Sequence, residues 1–218
     1  MNGFIRHFKR RLISSSFFWR TRHLIQPKFI DDYENKDTSS IQKSISSVKH
    51  LNSILDFGCA TGKLLFNVKK TKPEISVIGI DINAVMLQEC TKKFRLNFHE
   101  KNNFLFLKEL DHKIITEFLF ANQLENLDIC VFDRVLYCLE LGFIKKTFNH
   151  ISEISEHILI DDFFLSHNSL QEKKYNGYLH RDWIGLLSDF GFKPLQNKKT
   201  PYKKVDGADA RRLIFRKN

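Results

Sequence analysis

The chain has 218 residues, of which 42% are hydrophobic and 28% are charged, and its formal net charge is +10. This length suits one globular domain of two or three layers. The sequence contains neither an apolar stretch long enough to span a membrane nor a compact hydrophobic run near its start, which argues against a membrane span and a secretory signal. We therefore expect a cytoplasmic protein.

The four cysteines form no CxxC pair, as expected in a reducing compartment; they are Cys59, Cys90, Cys130 and Cys138. The positive charge is spread along the chain, so it supports solubility more strongly than it supports a nucleic-acid surface.

Residues 1–37 form a segment distinct from the rest. Its first 30 residues contain no acidic residue, and the basic ones are Arg6, Lys9, Arg10, Arg11, Arg20, Arg22 and Lys28. Apolar residues recur at helical spacing between Phe4 and Ile13, which predicts an amphipathic basic helix. Three interpretations remain open: a lid packed on the domain, a peripheral membrane anchor within residues 4–25, and an organellar transit peptide.

From residue 38 to residue 218 the pattern alternates short apolar strands with helices, which predicts one α/β domain with a mostly parallel sheet. The first five predicted strands are Ser53–Phe57, Ser76–Asp81, Asn103–Lys108, Asp128–Phe132 and His157–Asp161. The helices between and after them are Lys63–Lys70, Ala84–Phe94, Lys113–Asn122 and Gly142–Ser155, and another helix pattern, Ile41–Leu51, precedes the first strand.

The end of the chain breaks this alternation. A last helix beginning near Trp183 reaches Gly191, a typical helix C-terminal residue. Two strands follow, Phe192–Gln196 and Ala210–Phe215, which we expect to pair as a hairpin around an exposed loop, Asn197–Asp209. The prediction is a three-layered, Rossmann-like, doubly wound sheet of seven strands with an antiparallel last strand.

The turn after the first strand, "ILDFGCATG" at residues 54–62, carries the most specific signal. In open parallel sheets, ligands bind beyond the carboxyl ends of the strands, and the first exit loop is the usual cradle. Gly58 and Gly62 permit a sharp turn, and Asp81 at the end of the next strand is placed to accept hydrogen bonds from ribose hydroxyls. The spacing is G-x-x-x-G, not the G-x-G-x-x-G of a pyrophosphate site. Asp56, before the turn, favours a cationic ligand.

These residues resemble the class I S-adenosylmethionine-dependent methyltransferases, whose first motif is an acid, an apolar residue and three glycines at alternate positions. Asp56, Phe57, Gly58 and Gly62 match the motif, and Ala60 stands where the family has its middle glycine. The segments "LDICVFDRVLYCL" and "HRDWIGLLSDFGFKPL" also resemble the fourth strand and the late helix of the family. The resemblance covers residues 38–218.

The resemblance implies S-adenosylmethionine as cofactor, with Asp81 on the ribose, Ile82 on the adenine and Glu109 near the adenine amine. The implied cofactor-binding residues are Asp56, Phe57, Gly58, Cys59, Ala60, Gly62, Asp81, Ile82, Glu109 and Asp133.

Candidates on the acceptor side follow the fourth strand (Asp133 and Tyr137), follow the fifth (Asp161 and Asp162) or precede the last helix (His180). The catalytic candidates are Asp133, Tyr137 and His180. Each has a structural alternative: Asp133 as a helix cap, Tyr137 as a packed ring, and His180 as a residue before a helix capped by Asp182. Transfer to an oxygen requires a base or polarising group, whereas transfer to a neutral amine requires only alignment.

A metal-dependent site is a further alternative. Asp133 and the pair Asp161 and Asp162 are similar to the magnesium ligands of catechol-type methyltransferases, although that subfamily has asparagine at the last position. The first motif is closer to the metal-free group, and we expect no metal.

The expected function is methyl transfer to an oxygen or nitrogen of a small-molecule acceptor. The alternatives are a peripheral membrane enzyme acting on a lipid or quinone-like substrate, an RNA methyltransferase, and a non-catalytic cofactor-binding homologue. The segment after strand four lacks the Pro-Pro-aromatic sequence of amino-methylating nucleic-acid enzymes, which disfavours nucleic acid as a partner. The sequence does not indicate an oligomeric state.

The anchor interpretation predicts that the full chain cosediments with anionic liposomes, whereas a chain beginning near residue 30 does not. Liposomes of phosphatidylcholine alone are the control. Equal binding of both chains to the anionic liposomes would exclude an anchor in the first 30 residues.

Overall fold

A computed structural model describes residues 40–98, 103–165, 173–175, 178–200 and 209–218, with the backbone alone for 173–175 and 178. The predicted basic helix of residues 1–37 therefore lies outside the described residues. No described helix is long and apolar enough to cross a membrane.

The sheet confirms the predicted fold class. Seven strands are arranged in the order β3-β2-β1-β4-β5-β9-β8, mostly parallel, and β9 runs antiparallel to both of its neighbours. Their bounds are β1 Ser53–Phe57, β2 Ser76–Ile80, β3 Phe104–Leu107, β4 Leu127–Asp133, β5 Ser155–Phe164, β8 Phe192–Lys199 and β9 Asp209–Lys217. The predicted terminal hairpin is β8 with β9.

Six helices are described: α1 (residues 40–45), α2 Lys63–Thr71, α3 Ala84–Asn97, α4 His112–Ala121, α5 Leu141–Ile154 and α6 Trp183–Ser188. Three of them begin at a side-chain cap that accepts a hydrogen bond from the first turn. These caps are Asn83 for α3, Asp111 for α4 and Asp182 for α6. The sequence alone predicted only the last of these caps.

The described residues divide into two compact units, one ending at Val131 and the other beginning at Phe132. In the first unit, aromatic rings fill the space between α2, α3 and β3. Phe94 of α3 is fully buried, and its ring centroid lies 4.9 Å from that of Phe106 and 5.8 Å from that of Phe66. Edge contacts of this kind stabilise the packing beyond the effect of burying each ring, so Phe94 fixes α3 against the sheet.

A single carboxylate ties the start of β1 to the start of β4. Asp128 Oδ2 accepts hydrogen bonds from the backbone N–H groups of Asn52 (2.6 Å) and Ser53 (2.8 Å). The Ser53 hydroxyl donates to the same oxygen at 3.1 Å and accepts a bond from the Asp128 N–H. Asp128 is therefore a structural residue at the amino end of β4.

In the second unit, β5 is longer than predicted, because β9 pairs with it from His157 through Phe164. Asp161 and Asp162 therefore lie within the strand, whereas the predicted strand ended at Asp161. The β8 strand also continues to Lys199, so part of the predicted loop is strand.

The sequence analysis missed a two-stranded antiparallel ribbon, β6 Lys173–Tyr175 and β7 Tyr178–His180. Its strands have three residues each, too short for a period-2 hydrophobic pattern to appear.

We predict that Asp128→Ala lowers the free energy of unfolding by about 3 kcal/mol, because three donors lose a charged acceptor. Asp128→Asn keeps one acceptor oxygen and serves as the matched control, with a smaller loss. Urea denaturation of the three proteins measures the difference. A loss below about 1 kcal/mol in the alanine variant would contradict the role of this carboxylate.

Candidate functional site

The turn after β1 adopts a left-handed backbone at alternate residues. The φ angles of Gly58, Ala60 and Gly62 are 83°, 47° and 68°. The N–H groups of Gly58 and Cys59 both donate to the Ile80 carbonyl, at 2.7 and 3.0 Å, which attaches the turn to the end of β2. The left-handed backbone therefore accounts for glycine at positions 58 and 62, whereas position 60 adopts it with alanine.

Asp81 follows β2 and faces this turn. Its Oδ2 accepts a hydrogen bond from the Ala60 N–H at 3.0 Å, and its Oδ1 accepts one from the Asn83 N–H at 2.8 Å. Its own N–H donates to the Leu107 carbonyl of β3 at 3.1 Å. The Asp81 carboxylate is thus fixed in direction by two backbone donors. A carboxylate has about four lone-pair sites, so one oxygen can accept more than one donor.

Two residues missed by the sequence analysis, one in β2 and one in α3, pack against the turn. Gly79 of β2 leaves no room for a side chain, since a Cβ there would lie 2.8 Å from Cys59 Sγ and 2.6 Å from the Phe106 ring. Cys90 of α3 is fully buried, and its thiol donates to the Ala60 carbonyl at 3.2 Å. The sequence signal for Gly79 was a glycine inside a strand pattern, which often marks a close approach to the backbone. The role of Cys90 has no such signal in the nearby sequence.

The site carries buried negative charge. Asp56 is only 4% exposed. The pKa of the Cys59 thiol is raised well above its usual value by a hydrogen bond with Cys90, by burial and by the charges of Asp56 and Asp81. The pKa of Cys130 is likewise raised, by burial first and then by Asp56. Both thiols therefore remain protonated, and negative potential dominates beside the turn.

The helix after the turn begins with main-chain amides that no side chain caps. Gly62 is the N-cap of α2 and makes no side-chain cap hydrogen bond, and the first turn contains no acidic residue. Ile82 is 44% exposed and Glu109 is exposed.

In the second unit, Asp133 forms an ion pair with its neighbour. Arg134 Nε lies 2.6 Å from Asp133 Oδ1, and Arg134 Nη2 lies 2.9 Å from Asp133 Oδ2. Arg134 has a φ of 53°, and its N–H donates to the Asp161 carbonyl at 2.9 Å. Successive side chains of a strand point to opposite faces. The left-handed backbone at Arg134 breaks this alternation, which allows its guanidinium to pair with the carboxylate of Asp133. Asp133 does not cap a helix.

Tyr137 lies in a short 3₁₀ turn, Leu136–Cys138, that is held at both ends. Asp162 Oδ2 accepts hydrogen bonds from the N–H groups of Leu136 (2.9 Å) and Tyr137 (3.1 Å). The buried Arg181 guanidinium donates to the carbonyls of Leu136 (3.0 Å) and Leu139 (2.8 Å). Sequence reasoning missed Arg181 and considered Asp162 as an acceptor-side group and as a metal ligand, not as a restraint on this turn.

Two of the catalytic candidates flank one ring. The Tyr137 ring meets Phe163 edge to face with centroids 5.6 Å apart, and His180 stacks on Phe163 at 5.0 Å. His180 is 1% exposed, and burial lowers its pKa to about 4. The imidazole is therefore neutral at pH 7 and has little strength as a base.

The carboxylates considered for a metal have other partners. Asp161 Oδ2 accepts from Arg212 Nε at 2.7 Å and also from Arg212 Nη2. Asp162 Oδ1 accepts from the Phe163 N–H at 2.7 Å. Within the described ranges, no group of three or more potential ligands is arranged to hold a metal ion.

Burial raises the pKa of both carboxyls. The pKa of Asp161 is about 7, with the Arg212 charge opposing the effect of burial. The pKa of Asp162 is about 8, because burial outweighs its three backbone donors.

A family model described as "Methyltransferase domain" matches residues 49–198. The chain belongs to this family. The resemblance to class I methyltransferases is thereby confirmed. No curated protein matches the sequence.

Solved methyltransferase structures share the fold over most of the chain. Magnesium protoporphyrin IX methyltransferase from Synechocystis, with S-adenosylmethionine bound, is 17% identical with a TM-score of 0.62, covering 98% of this chain and 97% of that one. The 1,6-didemethyltoxoflavin-N1-methyltransferase of Burkholderia thailandensis is 14% identical, with a TM-score of 0.65 and coverage of 97% and 90%.

A third similar structure is the O-methyltransferase from a polyketide synthase multienzyme of Brevibacillus brevis, in complex with S-adenosylhomocysteine. It is 13% identical, with a TM-score of 0.64 and coverage of 90% and 78%. At these identities the similarity establishes the fold.

The raised pKa values predict that stability falls as pH rises. The folded state keeps protons on Asp161 and Asp162 between their unfolded pKa, about 4, and the values near 7 and 8. The free energy of unfolding therefore decreases across this range, by up to about 1.4 kcal/mol per pH unit for each group.

Thermal unfolding between pH 5 and 8.5 tests this. Asp161→Asn keeps an acceptor for Arg212 and is expected to flatten the slope below pH 7, even if its absolute stability is lower. Asp189→Asn, at an exposed position after α6, is the control and keeps the wild-type slope. A midpoint that rises with pH in the wild type would refute the prediction.

Proposed function

We propose that the protein is an S-adenosylmethionine-dependent methyltransferase that transfers a methyl group to an oxygen or nitrogen of a small-molecule acceptor. The observation that carries the proposal is the Asp81 carboxylate, fixed beside the glycine turn by the N–H groups of Ala60 and Asn83. The family membership and the three similar methyltransferase structures support it.

The residues present fit the cofactor. A carboxylate can accept several donors, which suits Asp81 to the two ribose hydroxyls, and the exposed Ile82 follows it directly, where an adenine ring would pack. Asp56 supplies the negative charge that favours a ligand bearing ammonium and sulfonium groups. Glu109 is an exposed acid after β3, suited to the adenine amine. Residues 56–62 contain no arginine or lysine, the residues that a pyrophosphate group would favour.

When bound, the cofactor supplies an electrophilic methyl group on its sulfonium sulfur. The chain's task is alignment: it holds the acceptor atom in line with that methyl group and keeps water away. A hydroxyl acceptor must also lose its proton, whereas a neutral amine attacks first and loses a proton afterwards.

On the acceptor side we retain Asp133, Tyr137 and His180 as candidates. Asp133 is a carboxylate oriented by Arg134 and suits the role of proton acceptor or hydrogen-bond acceptor. Tyr137 carries a phenol on the turn clamped by Asp162 and Arg181, and its side chain is buried. The neutral His180 is suited to hydrogen bonding of an acceptor more than to proton abstraction, given its pKa of about 4.

The similar structures include an O-methyltransferase and an N1-methyltransferase, which supports oxygen and nitrogen as acceptor atoms. A screen of small hydroxylated and amino acceptors, with S-adenosylhomocysteine release as readout, would separate an enzyme from a non-catalytic cofactor-binding homologue.

Calorimetric titration of S-adenosylmethionine and S-adenosylhomocysteine tests the cofactor site. We expect micromolar binding by the wild type and an affinity at least about tenfold lower in Asp81→Ala, because charge-assisted hydrogen bonds are lost. Glu89→Ala removes the same charge from the exposed side of α3 and is expected to bind as the wild type does.

Asp81→Asn is the second variant. It keeps one oxygen that can accept from a backbone N–H, so it distinguishes weaker binding caused by loss of the ribose contact from weaker binding caused by disruption of the turn. Absence of binding heat in folded wild-type protein, or equal affinity of wild type and Asp81→Ala, would overturn the proposed cofactor site.

A further inference from the structure

Ala60 adopts a backbone conformation that a side chain disfavours. Its φ of 47° lies in the left-handed region, where Cβ approaches the following carbonyl oxygen. The flanking left-handed residues of the turn, Gly58 and Gly62, have no such penalty. Something must therefore hold Ala60 in place.

The two amides on either side of Ala60 are both held. Its N–H, in the preceding amide, donates to Asp81 Oδ2 at 3.0 Å. Its carbonyl, in the following amide, accepts from Cys90 Sγ at 3.2 Å. The Gly62 N–H also donates to the Cys59 carbonyl, in the preceding amide, at 2.8 Å. A residue whose two flanking peptide planes are held has both of its dihedral angles restrained, so Asp81, Cys90 and this backbone bond together restrain Ala60, and Cys90 is the one that acts on the following amide.

Cys90 is placed for this role by close packing under the turn. It is 0% exposed, and a Cβ at Gly62 would lie 2.9 Å from its sulfur. The Cys59 thiol also points to the Ala60 carbonyl, at 4.0 Å, so Cys90, at 3.2 Å, is the nearer of the two thiol donors.

We infer that Cys90 is a positioning residue for cofactor binding: its thiol holds Ala60 left-handed and so keeps the Ala60 N–H on the Asp81 carboxylate that binds the ribose. The inference rests on the proposed cofactor site. It explains how the turn functions with alanine at the motif's middle position, because a thiol from α3 supplies the restraint that glycine does not need.

A double-mutant cycle tests the inference with S-adenosylhomocysteine affinity as the readout. Cys90→Ala is expected to weaken binding about fivefold, as loss of one weak hydrogen bond and its restraint predicts. In an Ala60→Gly background the same change is expected to have less than about a twofold effect, because glycine adopts this conformation without a restraint.

Cys90→Ser retains a donor and is expected to remain within about twofold of the wild type. It also keeps the test valid if the alanine variant fails to fold. Cys130→Ala is the matched control: Cys130 is an equally buried thiol in β4, so its loss lowers the melting temperature while the affinity stays unchanged.

Equal weakening by Cys90→Ala in the alanine and glycine backgrounds would show that the thiol acts by packing alone and would overturn the inference. Unchanged affinity in Cys90→Ala would do the same. Both results differ from failure of the proposed function, in which the folded wild type binds neither cofactor nor product.

Discussion

The bonds that Asp81 accepts from two backbone N–H groups are the interaction on which the candidate site depends. One bond reaches back to Ala60 in the turn after β1, and the other reaches forward to Asn83 at the start of α3. A single carboxylate thereby joins two chain segments that are 23 residues apart in sequence. The geometry of the site is set by this residue before any ligand is present, which reduces the ordering required on binding.

The restraints around this carboxylate come from buried groups of modest polarity. Gly79 allows Cys59 and Phe106 to approach the β2 backbone, and Cys90 reaches the turn from α3. A closely packed interior transmits displacements, so a shift of α3 also displaces the turn, although no residue of α3 belongs to the motif. In the second unit, the 3₁₀ turn bearing Tyr137 is restrained similarly, by Asp162 at one end and Arg181 at both ends.

The strand and helix pattern was readable because buried parallel strands and amphipathic helices have different periods, and β1 was predicted with its observed bounds. The glycine turn was readable because its backbone requires particular residue types. The roles of Cys90, Arg181 and Asp128 were not readable, since each acts on a segment 30 to 76 residues away in sequence. The end of β5 was misplaced for the same reason, because its length is set by pairing with β9.

The Asp128 carboxylate has a consequence for the order in which the first unit assembles. The start of β1 lies 75 residues before the side chain that accepts its N–H groups. Loop closure of this length is slow compared with local helix formation, so α2 and α3 can form while the start of β1 still lacks its acceptor. During synthesis, the ribosome must release the chain beyond residue 128 before the first strand of the unit is anchored.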